Sequence, residues 1–203
     1  MSTTPTVFVV DDDPAARASM SALVQSMGVP VESFASAEEL LESIIPNQPG
    51  CVVTDYRMAG MTGLELQEEL ARNNFTLPVI VITAYADVPT AVRAMESGAV
   101  TFLEKPCDEE TLCSSVRRAL DADADARGQH TRTRELRARL ESLTTGERDV
   151  LNLLVQGKMN KNIAKDLDIG LRTVELRRHQ IMKKLDVNSV AEVVRLVFEA
   201  QGE

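Results

Sequence analysis

Val7-Phe8-Val9-Val10 runs directly into Asp11-Asp12-Asp13-Pro14 near the start of the chain. An apolar run without polar alternation is typical of a strand that is covered on both faces of its sheet. Asp13 and Pro14 favour a helix start, because Asp is a preferred N-cap and Pro fits the first helical position. The segment therefore predicts a buried strand that turns into a helix, with two further aspartates at the turn.

The same order of strand and amphipathic helix recurs through the first 122 residues. Predicted strands are Thr6–Val10, Val31–Phe34, Cys51–Thr54, Val79–Thr83 and Val100–Glu104. Predicted helices are Ala15–Met27, Ala37–Ile45, Gly63–Asn73, Val88–Ser97 and Asp108–Ala122, with Gly28 and Gly98 at C-cap positions. This alternation predicts an α/β fold, a doubly wound (βα)5 domain around a flavodoxin-like parallel sheet.

The second half of the chain has a different pattern. Residues 121–139 are mostly Ala, Asp and Arg, so we expect no core there and place a linker at residues 123–140. Gly128 should weaken a helix in this linker, although Leu136 and Leu140 could continue one, so we expect it to be partly helical. The domains then cover residues 1–122 and 141–203.

Residues 141–203 predict an all-α domain of four helices. Capping-box spacing marks two helix starts, Thr144 with Glu147 and Ser189 with Glu192. The helices run roughly over Thr145–Gln156, Lys161–Asp168, Leu171–Lys184 and Val190–Glu199.

Charge is divided unevenly between the two parts. The formal net charge is -9, yet residues 1–122 hold 18 acids against 7 bases and the remainder holds 13 against 15. An acidic domain suits metal binding, and the more basic one can approach a polyanion. Apolar runs are too short to span a membrane and no secretory signal is visible, so we expect a cytoplasmic protein without a membrane partner. Cys51, Cys107 and Cys113 lack metal-binding spacing, which favours inert thiols.

Polar side chains stand at the carboxyl ends of several predicted strands, where ligands bind in such sheets. They are Asp11, Asp12, Asp55, Thr83 and Lys105. Neighbouring carboxylates repel unless a cation is present, and Mg²⁺ prefers oxygen ligands. Taken singly, each has a plainer explanation, since a Thr at a strand end can be only a β-former and a loop Lys can be only solvated.

In combination these segments resemble the receiver domain of two-component response regulators. The matching residues are 9–13, 53–58, 60–63, 81–84, 98–99 and 102–106. The resemblance implies that Asp55 accepts a phosphoryl group from a sensor histidine kinase. It further implies that Mg²⁺ (or Mn²⁺) is held by Asp12, Asp55 and the main-chain carbonyl of Arg57, with Asp11 acting mainly through a water.

The resemblance also implies roles for residues around the phosphate. Thr83, Ala84 and Lys105 would bind the phosphoryl oxygens, and a cis peptide is expected at Lys105-Pro106. Phe102 would turn inward behind Thr83 on phosphorylation, although taken in isolation this residue is more simply explained as part of the core. Arg57 and Tyr85 would tune the rate of hydrolysis.

Bases concentrate on one predicted helix of the second domain. They are Arg172, Arg177, Arg178, Lys183 and Lys184, after a shorter helix and a turn at Gly170. A charge run is usually a solvated face, but two short helices with a Gly turn match a helix-turn-helix.

This domain resembles the LuxR-type DNA-binding domains of the FixJ/NarL class. The resemblance implies that Glu175, Leu176 and His179 face base edges, while phosphate contacts come from Lys161, Arg172, Thr173 and Lys183. Arg178 is also expected to be a DNA-binding residue. Two positions depart from the family, which often has Ser at Gly170 and His at Arg177.

The two resemblances together imply a phosphorylation-dependent transcription regulator. Its partners would be a sensor histidine kinase, double-stranded promoter DNA, RNA polymerase and a second copy of itself. A homodimer would form on phosphorylation through the predicted helix Val88–Ser97, the fifth strand and the helix after it; inhibitory packing between domains is equally compatible.

Two other function classes remain open. A haloacid-dehalogenase-type phosphatase also uses an aspartyl phosphate, but it has a second aspartate where this chain has Arg57. An adaptor or RNA-binding regulator could use the same receiver.

Overall fold

A computed structural model describes residues 4–84 and 101–201. Its internal contacts divide the chain into two compact units, Met1–Arg127 and Gly128–Glu203. Each helix among the described residues is too short or too polar to span a lipid bilayer.

The first unit is built on a five-stranded parallel sheet. Its strands are β1 (Thr6–Val10), β2 (Val31–Phe34), β3 (Gly50–Asp55), β4 (Val79–Thr83) and β5 (Thr101–Glu104). The order β2-β1-β3-β4-β5 confirms the predicted flavodoxin-like sheet. Asp55 is the last residue of β3 rather than the first residue after it.

Four described helices accompany the sheet. They are α1 (Pro14–Ser26), α2 (Ala37–Ser43), α3 (Gly63–Arg72) and α4 (Glu109–Glu141). The Asp13 carboxylate accepts hydrogen bonds from the N–H groups of Ala15 and Ala16, which confirms its role as the N-cap of α1. The predicted helix Val88–Ser97, with Gly98 and Val100, lies outside the described residues.

Alternate residues of the central strands feed two separate hydrophobic cores. Phe8, Val10, Val52 and Val81 pack with α2 and α3 on one face, where Leu40 and Leu66 are fully buried. Val7, Val9, Val53 and Ile80 pack on the other face with Val24 of α1 and Leu112 of α4. Because both faces are covered, the strands read as continuous apolar runs.

Helix α4 differs from the expected linker. It continues without a break through Gly128 to Glu141, so the segment expected to be partly helical is helical throughout. The expectation that no core residue lies there was wrong for Leu136, which is 6% exposed, and for Asp123, which is 2% exposed. Ala, Arg and Glu are strong helix formers, and together they outweigh one glycine.

Asp123 is buried where α4 packs against the start of β3. Its Oδ2 accepts a hydrogen bond of 3.0 Å from Gly50 N–H, and Arg127 donates to the carbonyl of Asn47. Burial, assisted by the Asp123 charge, raises the pKa of the neighbouring Cys51 thiol to about 12. That thiol is therefore protonated and inert at neutral pH.

The second unit contains α5 (Thr145–Val155), α6 (Asn160–Asp166), α7 (Leu171–Leu185) and α8 (Val190–Gln201). All four helices lie within two residues of their predicted ends, and the Thr144–Glu147 capping box is formed. Val150, Ile163, Val174, Ile181 and Leu185 make the centre of the core.

Gly50 is a position where a side chain should not fit. A methyl group there would lie 1.9 Å from the carbonyl oxygen of Thr6, and φ is +150°. We expect Gly50→Ala to lower the free energy of opening of the β1 and β3 amides by about 3 kcal/mol or more. Native-state hydrogen exchange measures this quantity.

The matched control for this prediction is Gly128→Ala, whose added methyl group meets nothing within 4 Å. It should stabilise α4 by up to about 1 kcal/mol. Equal effects of the two substitutions would contradict the close approach of Thr6 to Gly50.

Candidate functional site

The carboxyl ends of β1, β3 and β5 bring two carboxylates to one ammonium group. Lys105 Nζ lies 2.8 Å from Oδ2 of Asp11 and 2.5 Å from Oδ1 of Asp55. Asp11 is 1% exposed and Asp55 is 8% exposed. The lysine therefore neutralises part of the negative charge at this edge of the sheet.

The second predicted acid, Asp12, faces the loop that follows β3. Its exposed carboxylate accepts a hydrogen bond of 2.9 Å from Ala59 N–H. Within residues 4–84 and 101–201, no three His, Cys, Asp or Glu side chains are arranged as a group that could hold a metal. The structure thus joins Asp11 to Asp55 through Lys105, and it places Asp12 beside them on a separate hydrogen bond.

The donor chemistry of the site nevertheless fits a hard divalent cation. Asp11, Asp12 and Asp55 offer carboxylate oxygens, and Arg57 follows Asp55 closely enough for its N–H to donate to Asp55 Oδ2 at 2.7 Å. Mg²⁺ commonly takes one or two carboxylates and completes its shell with water. A preformed cage of three acids is therefore not needed.

Lys105 is a permanent cation in this setting. Burial acts to lower its pKa, but hydrogen bonds and charge attraction from Asp11 and Asp55 outweigh burial, so the net pKa is raised. The stabilisation from this pair is complete at neutral pH. It is lost only as the pH rises through the raised value, above the ordinary 10.5.

Backbone hydrogen bonds hold the ends of the strands together around these groups. Tyr56 N–H donates to the carbonyl of Ile82, and Lys105 N–H donates to that of Thr83, both at 2.7 Å. The expected cis peptide at Lys105-Pro106 is confirmed. Asp55 and Lys105 thus have fixed positions relative to β4.

Two of the predicted phosphate-binding and switch residues, Thr83 and Ala84, stand at the same sheet edge as this pair, and Phe102 lies within β5. Thr83 ends β4 and is buried, while Ala84 after it is exposed. Phe102 on β5 is half-buried against the core that contains Phe8 and Phe34. Arg57 is exposed, and Tyr85 lies outside the described residues.

Two contacts near this site are not predicted by the sequence pattern. Glu38 at the start of α2 accepts a hydrogen bond of 3.2 Å from Met61 N–H, in the loop that follows Asp55. Arg17 on α1 donates to the carbonyl of Asp11. Glu38 and Arg17 each follow the carboxyl end of a strand by a few residues. In the sequence, however, a Glu or Arg that makes such a contact looks the same as one that is exposed to solvent.

The second unit presents one basic face on α7. With about 100° between successive residues of a helix, Arg172, Glu175, Leu176, His179 and Lys183 share one side. All five are exposed, Leu176 to 59%. Lys161 on α6 and Thr173 are exposed as well. These seven residues were all predicted to contact DNA.

The remaining bases of α7 have partners within the unit. Arg178 donates to the side-chain oxygen of Asn160, and Arg177 donates to the carbonyl of Gly146 at 3.3 Å. Lys184 lies 2.6 Å from Oε2 of Glu147. Apart from the helical spacing of the bases, the sequence does not predict these pairs, because a run of charged residues does not determine the partner of each side chain.

Comparison with known proteins identifies two family models in the chain. The response regulator receiver domain matches residues 7–117, and the family of bacterial regulatory proteins called luxR matches residues 141–197.

Several relatives match over almost the whole chain. The transcriptional regulatory protein FixJ of Azorhizobium caulinodans is 43% identical, covering 96% of this chain and 92% of that protein. The response regulator protein TodT of Pseudomonas putida is 38% identical, covering 94% and 84%.

Two solved structures are also similar over nearly the whole chain. The response regulator StyR has a TM-score of 0.87 at 44% identity, covering 97% of this chain and 100% of that one. Full-length FixJ from B. japonicum has a TM-score of 0.59 at 36% identity, covering 100% of both chains.

Removal of the Lys105 ammonium should leave Asp11 and Asp55 without charge compensation. We expect Lys105→Gln to destabilise the first unit by about 2 kcal/mol at neutral pH. Mg²⁺ should then stabilise the variant more than the parent, because the cation replaces part of the lost charge. Urea unfolding followed by tyrosine fluorescence reports on this unit alone, since Tyr56 and Tyr85 are the two tyrosines of the chain.

Lys165→Gln is the matched control, since Lys165 is exposed in the second unit. It should leave the tyrosine-detected transition unchanged. If Lys105→Gln behaved like this control, with or without Mg²⁺, the ion-pair assignment would be wrong.

Proposed function

The chain belongs to the response regulators that join a receiver domain to a LuxR-type DNA-binding domain, and from this membership we propose that Asp55 phosphorylation controls its binding to promoter DNA. A sensor histidine kinase would supply the phosphoryl group. The receiver would occupy residues 1–122 and the DNA-binding domain residues 141–203, with residues 123–140 of α4 between them.

One observation carries this proposal. The Asp55 carboxylate stands at the end of a buried strand, with one oxygen on Lys105 Nζ and the other on Arg57 N–H. A carboxylate fixed in this way at a partly open sheet edge can act as a nucleophile. A structural ion pair would not need to lie where the edge of the sheet opens into loops.

In the proposed transfer, an oxygen of Asp55 attacks the phosphorus of the donor. An O–P bond forms while the bond from phosphorus to the donor breaks, and the donor leaves with that electron pair. Lys105 then pairs with a phosphoryl oxygen while it keeps its contact with Asp11. The hydroxyl of Thr83 and the N–H of Ala84 would donate to the remaining oxygens.

A divalent cation, Mg²⁺ or Mn²⁺, would offset the charge that develops on the transferring group. Asp12, Asp55 and the main-chain carbonyl of Arg57 would hold it, with Asp11 acting through a water. Asp12 would exchange its hydrogen bond with Ala59 for this role, so the loop after β3 would respond to the cation. Arg57 and Tyr85 would set the rate at which water removes the phosphoryl group.

The signal would leave the site through Thr83 and Phe102. If the phosphoryl group draws the Thr83 hydroxyl inward, the half-buried ring of Phe102 can turn in behind it. Such a switch requires only that phosphorylated Asp55 favour one of two existing conformations. The favoured form would dimerise through β5, the helix after it and the segment at Val88–Ser97.

The exposed face of α7 would then enter the major groove of promoter DNA. Glu175, Leu176 and His179 would meet base edges, and Lys161, Arg172, Thr173 and Lys183 would meet phosphates. Arg178 would lie beside the backbone while it holds Asn160. Paired half-sites would match the symmetry of a dimer, and bound dimers would contact RNA polymerase.

The acceptor assignment is tested by labelling with radioactive acetyl phosphate. With Mg²⁺ present, we expect the parent protein to gain an acid-stable, alkali-labile label that Asp55→Asn abolishes. Asp108→Asn is the control, because Asp108 is an exposed acid near the same edge. Label retained by Asp55→Asn would contradict the assignment, and sustained hydrolysis of small phosphate esters would favour a phosphatase instead.

The DNA assignment is tested by the salt dependence of binding to one fixed duplex. Arg172→Ala and Lys183→Ala should each reduce the slope of log affinity against log salt by about one, because each removes one phosphate contact. Arg72→Ala in the first unit is the matched control and should leave the slope unchanged. Identical slopes for all three variants would place the DNA interface elsewhere.

A further inference from the structure

Two half-buried basic residues of α7 lie beside the buried side of the helix. At about 100° per residue, Arg177 and Lys184 fall on the same side as Val174 and Ile181. Both apolar residues are fully buried. Arg177 and Lys184 are therefore turned away from the exposed face that carries Arg172, Glu175, Leu176, His179 and Lys183.

The Arg177 guanidinium lies directly against the backbone of Gly146 in the first turn of α5. A methyl group on Gly146 would be 2.6 Å from Cζ of Arg177 and 2.7 and 2.8 Å from its two terminal nitrogens. No bonded side chain could occupy that space while the guanidinium stays there. The absence of a side chain at residue 146 thus makes room for the arginine at residue 177.

A second contact between the same two helices lies two turns further along α7. Lys184 pairs with Glu147 at 2.6 Å and donates to the carbonyl of Ser142 at 3.1 Å. Burial acts to raise the pKa of Glu147, but hydrogen bonds from Lys184 and Thr144 outweigh it, so the net pKa is lowered. Two contacts separated along α7 therefore link it to the start of α5, in addition to its buried residues Val174 and Ile181.

We propose that Gly146 and Arg177 form a matched pair that orients the recognition helix, so that Arg177 acts as a positioning residue rather than as a phosphate contact. This inference rests on the proposed binding of DNA by α7. It also assigns a function to Arg177, which stands where related domains often have His. The rotation that the pair fixes decides whether Glu175, Leu176 and His179 point into the groove.

The pairing is tested by a double-mutant cycle in the intact chain, with hydrogen exchange of the α7 amides as the readout. In the parent, Gly146→Ala should displace the guanidinium and speed exchange of these amides roughly three- to tenfold. In an Arg177→Ala background the same change should slow exchange, because no guanidinium remains to be displaced and Ala favours a helix over Gly. A reversal of sign supports the pair, and equal effects in both backgrounds would overturn it.

The positioning role is tested on the same proteins with one fixed duplex of mixed sequence. Arg177→Ala should weaken binding roughly three- to tenfold at every salt concentration, with the salt slope unchanged, because a lost orientation affects all contacts but releases no extra counterion. A slope reduced by about one, as expected for Arg172→Ala, would identify Arg177 as a phosphate contact and overturn the proposal.

The two readouts separate this inference from the proposed function. If the parent chain did not bind duplex DNA, the proposed function and the positioning role would both fail. The exchange cycle involves no DNA, so it would still decide whether Gly146 and Arg177 are a matched pair.

Discussion

The first unit depends on the neutralisation of two carboxylates at the edge of its sheet. Asp11 and Asp55 end up close together because β1 and β3 are neighbours and run parallel, with Val10 in register with Thr54. Two negative charges in such a place repel strongly unless a cation joins them. Lys105 follows β5, on the other side of β4, and supplies that positive charge. The order of β1, β3, β4 and β5 therefore brings the two carboxylates and their counter-charge together.

Much of this arrangement could be predicted because the sheet edge collects residues by a general rule. Parallel strands place their carboxyl ends together, so Asp11, Asp55, Thr83 and Lys105 could be assigned to one site from their strands alone. What could not be predicted is how the charges divide among partners. The sequence pattern favours three acids around a cation, whereas the structure puts Asp12 on Ala59 N–H and both other carboxylates on Lys105.

In the rest of the chain, residue composition predicted the structure less well than residue spacing did. A segment rich in Ala, Asp and Arg was predicted to be a linker, but one of its aspartates is buried against Gly50 and its leucine at 136 is in a core. In α7 the concentration of bases predicts a binding face, but helical periodicity divides them between an exposed side and a side that packs on α5. The spacing of the bases along α7 predicts the side of the helix on which each one lies, whereas their number does not.

The ion pairs of Lys105 and Lys184 differ in a way that follows from their surroundings. Lys184 and Glu147 join two helices that must stay together, and Glu147 is also bound to the N–H of Thr144, so an exchange of partners would cost the helix its cap. Lys105 joins residues at the carboxyl ends of β1 and β3, and under the proposed function its ammonium group would keep Asp11 when Asp55 changes partner. A phosphoryl group on Asp55 would bring its own negative oxygens to the same ammonium, so the lysine would exchange one anion for another and keep its charge compensation. The pair of Lys105 and Asp55 is suited to a switch, because a phosphoryl group would carry the same sign of charge as the carboxylate it replaces. The pair of Lys184 and Glu147 is suited to a fixed contact, because Glu147 also caps a helix.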